Sequence, residues 1–256
     1  MLEFLSYAFA EAYKHLTEVK FDKGSPLHRT IVSLYATIIE QTQDAIVLHR
    51  SGQHVTLDII LRATLEAFVE LENLCSDDTY LNHMKASFHE QWIKLAQHGV
   101  AGGNPFLQGF ENNPEAAALL AQHRVDLDAL SLTPPLSVYE RFCRAGMEDI
   151  YRSVYNSLCN ETHNNIRALT NRHLRVEGEN LELVIFDQPE AEGLASTLSS
   201  FIGILVRGSS IIHDYFGTDA RAVINALVDE HQAFINHYEE PMQQEPALVE
   251  KNETGG

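Results

Sequence analysis

Apolar residues recur every three to four positions through most of this chain, so it reads as a succession of amphipathic helices. Residues Leu2 to about Val19 place Leu5, Ala8, Ala12, Leu16 and Val19 on one side. Gly24 and Pro26 then stop one helix and start the next. Pro26 to about His49 forms a second helix, with Ile31, Leu34, Ile38, Ala45 and Leu48 inward and Ser51-Gly52 closing it. The third, His54 to about Leu74, is apolar nearly all the way round, as expected of a helix enclosed by others. Asp77 to about Gln97 follows, with Tyr80, Met84, Phe88, Trp92 and Leu95 as its stripe.

Gly99 to Pro135 is the least regular part. It reads as a glycine-rich loop, a short helix from Pro114 to about His123, a turn of helix and an extended Pro-Pro connection, forming a lid or a long surface excursion. A helix over Val138–Gly146 precedes a long one from Glu148 to Asn171. His173 to Phe186 alternates around Glu-Gly-Glu-Asn and predicts a small β-hairpin, the only strand signal in the chain. Pro189 to Phe216 and Asp219 to Tyr238 are the last helices, divided by Gly217. The expectation is a mainly α, single-domain bundle of about eight helices over residues 1–238, with one hairpin near 173–186. Residues 239–256 are acidic and poor in apolar groups, which predicts a disordered tail.

Composition narrows the classes. Hydrophobic content of 45% with 21% charged residues is that of a soluble globular protein. No run approaching 18 apolar residues is evident, and Glu3 stands where a leader would be basic, so a cytoplasmic protein without a membrane segment is expected. Cys75, Cys143 and Cys159 are too few and too scattered for a disulfide framework or a zinc knuckle. A net charge of −18 disfavours non-specific nucleic-acid binding, because phosphate neutralisation dominates it. However, six of the arginines fall between Tyr139 and Arg175 against four carboxylates, so a locally basic face there would reopen that question.

The chemistry-bearing residues concentrate in two stretches. Met147 to His173 reads as one helix, with Tyr151, Tyr155, Cys159 and His163 at steps of four on one face. Met147, Leu158, Thr162, Ile166 and Leu169 fall on the same side, and Ser153, Ser157, Asn160 and Asn164 fall opposite. The third helix carries Arg62 and Glu66 at i,i+4 among Val55, Ile59, Leu65 and Val69, and a desolvated pair needs further hydrogen bonds. Two helices that each embed polar groups in an apolar surface satisfy them by facing one another. The expected site is therefore a core network of Arg62, Glu66, Tyr155 and His163, with Glu70 nearby. It is either catalytic, with His163 as base, Glu66 setting its tautomer and Arg62 binding an anion, or purely architectural. Neither Glu-x-x-His repeats nor H-E-x-x-H occur, so no metal is expected; no phosphate loop or dinucleotide fingerprint occurs either, so no cofactor is expected.

Leu61-Arg62-x-x-x-Glu66, followed by Tyr155-x-x-Leu158-Cys159-x-x-x-His163, resembles a group of bacterial all-helical domains of unknown function over roughly residues 30 to 215. Their recurring features are an L-R-x-x-x-E helix and a Y-x-x-L-S-x-x-x-H helix, and Cys159 departs from them where serine is usual. The resemblance implies the same four site residues and no established activity. Separately, Arg167 and His173 resemble the R-x(4–6)-H signature of HEPN ribonucleases. That resemblance implies a metal-independent RNA-cleaving groove at a homodimer interface. A third alternative is a non-enzymatic interaction module with an architectural polar core. The expected partners exclude a membrane and, unless the arginine-rich face at 139–175 is exposed, nucleic acid; a homodimer is the remaining expectation.

Overall fold

The structure, a computed structural model, describes residues 1–130, 133–163, 165–178, 180–185 and 189–239, and it is mainly α-helical with one small hairpin. Five helices make its main layer: α1 (Leu2–His15), α2 (Pro26–Arg50), α3 (Leu57–Ser76), α10 (Ala191–Phe216) and α11 (Arg221–Glu239). Local signals set their ends. Ser25 accepts a hydrogen bond from the His28 backbone N–H, and Pro26 occupies the first turn of α2, where its missing donor costs nothing. Gly217, at φ 62°, supplies the left-handed residue that ends α10.

The core sits where α3 and α10 cross α2. Tyr35, Ile38, Leu71, Phe201, Ile202 and Leu205 are fully buried there. Two of its buried polar groups pair across the core. Ser209 Oγ donates to the Leu205 carbonyl at 2.7 Å, so the Tyr35 phenol, 2.8 Å away, must donate to Ser209. Burial pushes the Tyr35 pKa up to about 12, which keeps that donor protonated. Contrary to the sequence expectation, α10 is long and apolar enough to cross a membrane by length and composition. Half of its most apolar window is buried inside the bundle, which accounts for the run as a core helix.

The second layer comprises α4 (Tyr80–Val100), α5 (Pro114–Ala129), α6 (Val138–Arg144), α7 (Glu148–Ile150), a π-helical turn (Tyr151–Tyr155), α8 (Asn156–Thr162) and α9 (Ile166–His173). An antiparallel hairpin of β1 (Leu174–Glu177) and β2 (Asn180–Leu183) pairs Leu174 with Leu183 and Val176 with Leu181. Gly178, at φ 65°, supplies its turn. Phe186, the expected end of this hairpin, and the expected tail beyond Glu239 lie outside the described residues.

Three expectations need correction. The single helix from Glu148 to Asn171 is interrupted twice, by the π turn and again after Thr162, where His163 closes α8 and the Asn165 side chain caps α9 by accepting from Arg167 N–H. The apolar face drawn through that stretch therefore ends at the break: Met147 and Leu158 are buried, but Ile166 and Leu169 are exposed. The irregular excursion contains a longer helix than expected, because α5 continues to Ala129 from an Asn113–Pro114 start.

Burial pushes the pKa of His213, His231 and His49 below the ordinary imidazole value. All three are held neutral in the fold and take up protons when it opens. Their contribution is complete above the unfolded value of about 6.5 and is lost as pH falls through it. The melting temperature should fall between pH 7.5 and 5.5. A second decline is expected below about pH 4, where Asp77, Glu140 and Glu148 protonate. Hydrogen bonds from Thr79, Ser137 and Tyr139, in that order, hold those carboxyls below the usual range. Thermal unfolding followed by circular dichroism across pH 3–8 checks both steps, and a curve flat from 7.5 to 5.5 would contradict the first.

Candidate functional site

Four charged residues, Asp58, Arg62, Glu66 and Glu70, stand at four-residue intervals on α3 and so form one stripe along it. Leu61, Leu65, Phe68, Leu71 and Leu74 on α3 are buried, which turns the stripe toward the edge of the core. Each member meets a different part of the chain. Thr197 Oγ1 on α10 donates to Asp58 at 3.2 Å. Arg62 and Glu66 meet the π turn and α8 (below). Arg141 Nη1 on α6 donates to Glu70 at 2.8 Å. Farther along the same helix, Asn73 donates to the Arg141 carbonyl at 2.9 Å.

The expected Arg62–Glu66–Tyr155–His163 group does come together. Arg62 Nη2 donates to the Tyr155 hydroxyl at 3.2 Å, and that hydroxyl donates to Glu66 Oε1 at 2.7 Å. Arg62 Nε lies 3.2 Å from the same carboxylate oxygen, close enough for ion pairing, but it is off line for a hydrogen bond and is left without an acceptor. The guanidinium also stands over the Tyr155 ring, 5.4 Å from its centre. Arg62 Nη1 is 3.3 Å from His163 Nε2. A guanidinium only donates, so Nε2 is the acceptor and the imidazole proton sits on Nδ1. Burial, the largest influence on Tyr155, keeps it a phenol well above its ordinary range.

The π turn positions the central tyrosine. Its wider turn stacks Tyr155 on Tyr151, with ring centres 5.3 Å apart, and seats it against Phe142 at 4.9 Å. The cluster nevertheless lies at the rim of the bundle rather than in its core. Tyr155 is buried, but the Glu66 side chain is 40% exposed and His163 is exposed. Val55 and Ile59, expected to flank the pair in the interior, are themselves about two-fifths exposed, because the N-terminal end of α3 borders a cleft.

That cleft, of about 790 Å³, lies between the start of α3, the π turn with α8, α9, and the start of α10. Asp58 and Thr197 line one side, and Leu61, Leu158 and Leu194 supply apolar surface. Burial pushes the Asp58 carboxyl above its usual range. Opposite, Arg172 Nη2 donates to Glu161 Oε2 at 3.0 Å. Sequence reasoning missed Asp58, Glu161, Arg172 and Thr197. The four-residue step from Asp58 to Arg62 was a readable signal; Thr197, which reaches across from α10, left none.

No hydrogen bond joins Arg167 to His173. Six residues along a helix separate two side chains by about 9 Å of rise and about 240° of rotation. His173 Nδ1 faces the Val184 carbonyl at 3.1 Å, and Arg167 is exposed. The arginine-rich stretch is also largely neutralised, since Arg141, Arg144, Arg152 and Arg172 are each ion-paired with a carboxylate.

A family model matches residues 28–181 of the 256. The chain belongs to DUF5677, a family of unknown function. The DUF5677 match spans α2 to the hairpin, and therefore includes all four cluster residues, but it stops before α10. No curated protein and no solved structure matches the chain.

Two substitutions test this geometry. Tyr155→Phe removes a hydroxyl bonded to two charged groups and should cost about 1–3 kcal/mol in urea unfolding, with most of that loss absent in a Glu66→Gln background. Asp58→Asn acts in the opposite sense. Because the folded carboxyl is raised, the native state binds the proton more tightly, and stability declines as pH rises from the unfolded value of about 3.9. The variant should therefore melt above the parent at pH 7, with the gap closing below about pH 4, as read from paired melting curves.

Proposed function

We propose that this family member is a cytoplasmic small-molecule binder. Its ligand occupies the cleft between α3, α8, α9 and α10, and the Arg62–Glu66–Tyr155–His163 cluster is the latch that fixes α8 against α3. The observation that carries this reading is the convergence of a partly desolvated carboxyl, Asp58, and an Arg172–Glu161 ion pair in one cavity of ligand size. Three unpaired cysteines suit a reducing compartment.

The lining chemistry selects the ligand class. Asp58, Glu161 and Glu190 face Arg172 and Arg175, so the cleft has no cationic excess for a polyphosphate or an RNA strand. Ser153, Ser157, Ser196 and Ser200 add hydroxyls above an apolar floor. A neutral or zwitterionic organic molecule with both donors and acceptors, of nucleoside or amino-acid size, fits that lining.

A second reading keeps the cluster as a reaction site. It rests on His163, which is exposed and meets Arg62 through Nε2. Glu66 and Tyr155 then orient Arg62, and His163 exchanges protons with a substrate at the rim.

Thermal-shift screening against nucleosides, amino acids, amines and polyols tests both. A ligand present at about 100 times its Kd stabilises by about 2.7 kcal/mol. The shift should disappear in Ser157→Trp, which fills the cleft, and should survive in His163→Ala. A shift that persists in Ser157→Trp overturns the cleft reading. A shift lost only in His163→Ala moves the site to the rim.

A further inference from the structure

We propose that the α4–α5 hairpin holds a zinc-class divalent cation through His89, His123 and Asp126. This site is separate from the cleft and independent of its ligand. His89 comes from α4, while His123 and Asp126 are three residues apart on α5 and so share a face. The two Nδ1 atoms face each other at 2.9 Å, and one ligand atom from each of the three residues lies within 4.8 Å of the other two. Two nitrogens on a tetrahedral zinc, each at about 2.0–2.1 Å from it, stand about 3.3 Å apart. The imidazoles therefore need to part by only a few tenths of an ångström, and the carboxylate needs to swing inward.

The surroundings are those of a supported site. His123 is buried, and its ring stacks on Trp92 with centres 5.6 Å apart and planes 5° from parallel. Phe88 packs against both imidazoles, at 5.3 Å from His89 and 5.7 Å from His123. Gln122 Nε2 donates to Asp126 Oδ1 at 2.8 Å, orienting that carboxylate from behind, as outer hydrogen bonds orient metal ligands. Without a cation, the facing nitrogens share a single proton, one donating and one accepting. A dication takes that proton's place: the donor ring shifts its proton to Nε2, and both Nδ1 lone pairs as well as the carboxylate are then free to ligate.

The ligand set names the class. Two imidazoles and a carboxylate suit zinc and its neighbours, cobalt and nickel, whereas magnesium prefers oxygen ligands. Three protein ligands leave a fourth position for water. The cation also supplies something the helix lacks. Of the sixteen residues of α5, only Ala116, Leu120 and His123 are buried, while Leu119 and Val125 remain exposed. A bridge between α4 and α5 adds a fixed point to a helix that buries so few of its own side chains. The sequence patterns weighed above, Glu-x-x-His and H-E-x-x-H, do not include His-x-x-Asp with a second histidine from another helix.

Trp92 is the only tryptophan in the chain, so its fluorescence reports on this place alone. Full-length protein stripped with chelator should bind one equivalent of Co²⁺, with visible d–d absorption and quenching of Trp92 emission. Zn²⁺ should compete for the same equivalent, raise the melting temperature and slow proteolytic cleavage within α5, whereas Mg²⁺ should do none of these. His89→Gln and Asp126→Asn, each checked for unchanged helical circular dichroism, should weaken binding at least tenfold, and His98→Gln, exposed on the same α4, should not. Absence of quenching at one equivalent, or a response unchanged in both His89→Gln and Asp126→Asn, would overturn the site and leave a His–His hydrogen bond only.

Discussion

Enclosure of α3 is the constraint on which the rest of the structure depends. Its apolar faces are taken by α2 and α10, so its charged stripe has one direction left in which to find partners. Charges there are only partly hydrated, and leaving one unpaired costs more than any single contact returns. The partners of the stripe are arranged accordingly. Arg141 on α6 meets Glu70, Tyr155 in the π turn meets Glu66 and Arg62, His163 at the end of α8 meets Arg62, and Thr197 on α10 meets Asp58. A hydrophobic seam would tolerate sliding of short helices such as α6 and α8. A row of charge-assisted bonds at fixed intervals specifies their register.

The same row explains why a cleft opens where it does. At Glu66 and Glu70 the partners come from α6 and the adjoining π turn, which lie close against α3. At Asp58 the partner comes from the start of α10, which lines the cleft, and no α8 side chain bonds Asp58. The space between is bounded instead by the Glu161–Arg172 pair, which ties α8 to α9 rather than to α3. A polar cavity bordered by two separately satisfied pairs can admit a ligand without breaking either. Tyr155 thus contributes to the cleft at a distance, by setting how closely α8 approaches α3.

Helix positions were legible in the sequence because 3.6-residue periodicity and end signals agree at Pro26, at Asn113-Pro114 and at Gly217. The cluster was legible for a related reason: Arg62 and Glu66 stand in an otherwise apolar helix and require partners, and Tyr155 and His163 were the polar groups on the other candidate face. What was not legible depends on non-local geometry. The apolar spacing from Leu158 to Ile166 and Leu169 reads as one continuous helix, and the break capped by Asn165 leaves those last two side chains exposed. The π turn left no signal in the apolar spacing, and the rings it brings together, Tyr151, Tyr155 and Phe142, come from two separate helical segments. The cleft gathers its walls from residues more than a hundred positions apart, so no window of sequence contains it.

The span shared with DUF5677 sharpens how function relates to these parts. Residues 28–181 contain the stripe, its partners on α6 and α8, the α9 wall of the cleft and the whole α4–α5 hairpin. They exclude α10, which closes the cleft through Thr197, Leu194 and the serines at 196 and 200. The Arg62–Glu66–Tyr155–His163 cluster, and the hairpin with its two histidines and aspartate, lie within the matched portion alone, whereas the cleft is completed only by chain beyond it. A ligand held between the two portions would touch both, and its binding would stabilise their docking by mass action. Chemistry confined to the rim at His163 would need α10 only as core.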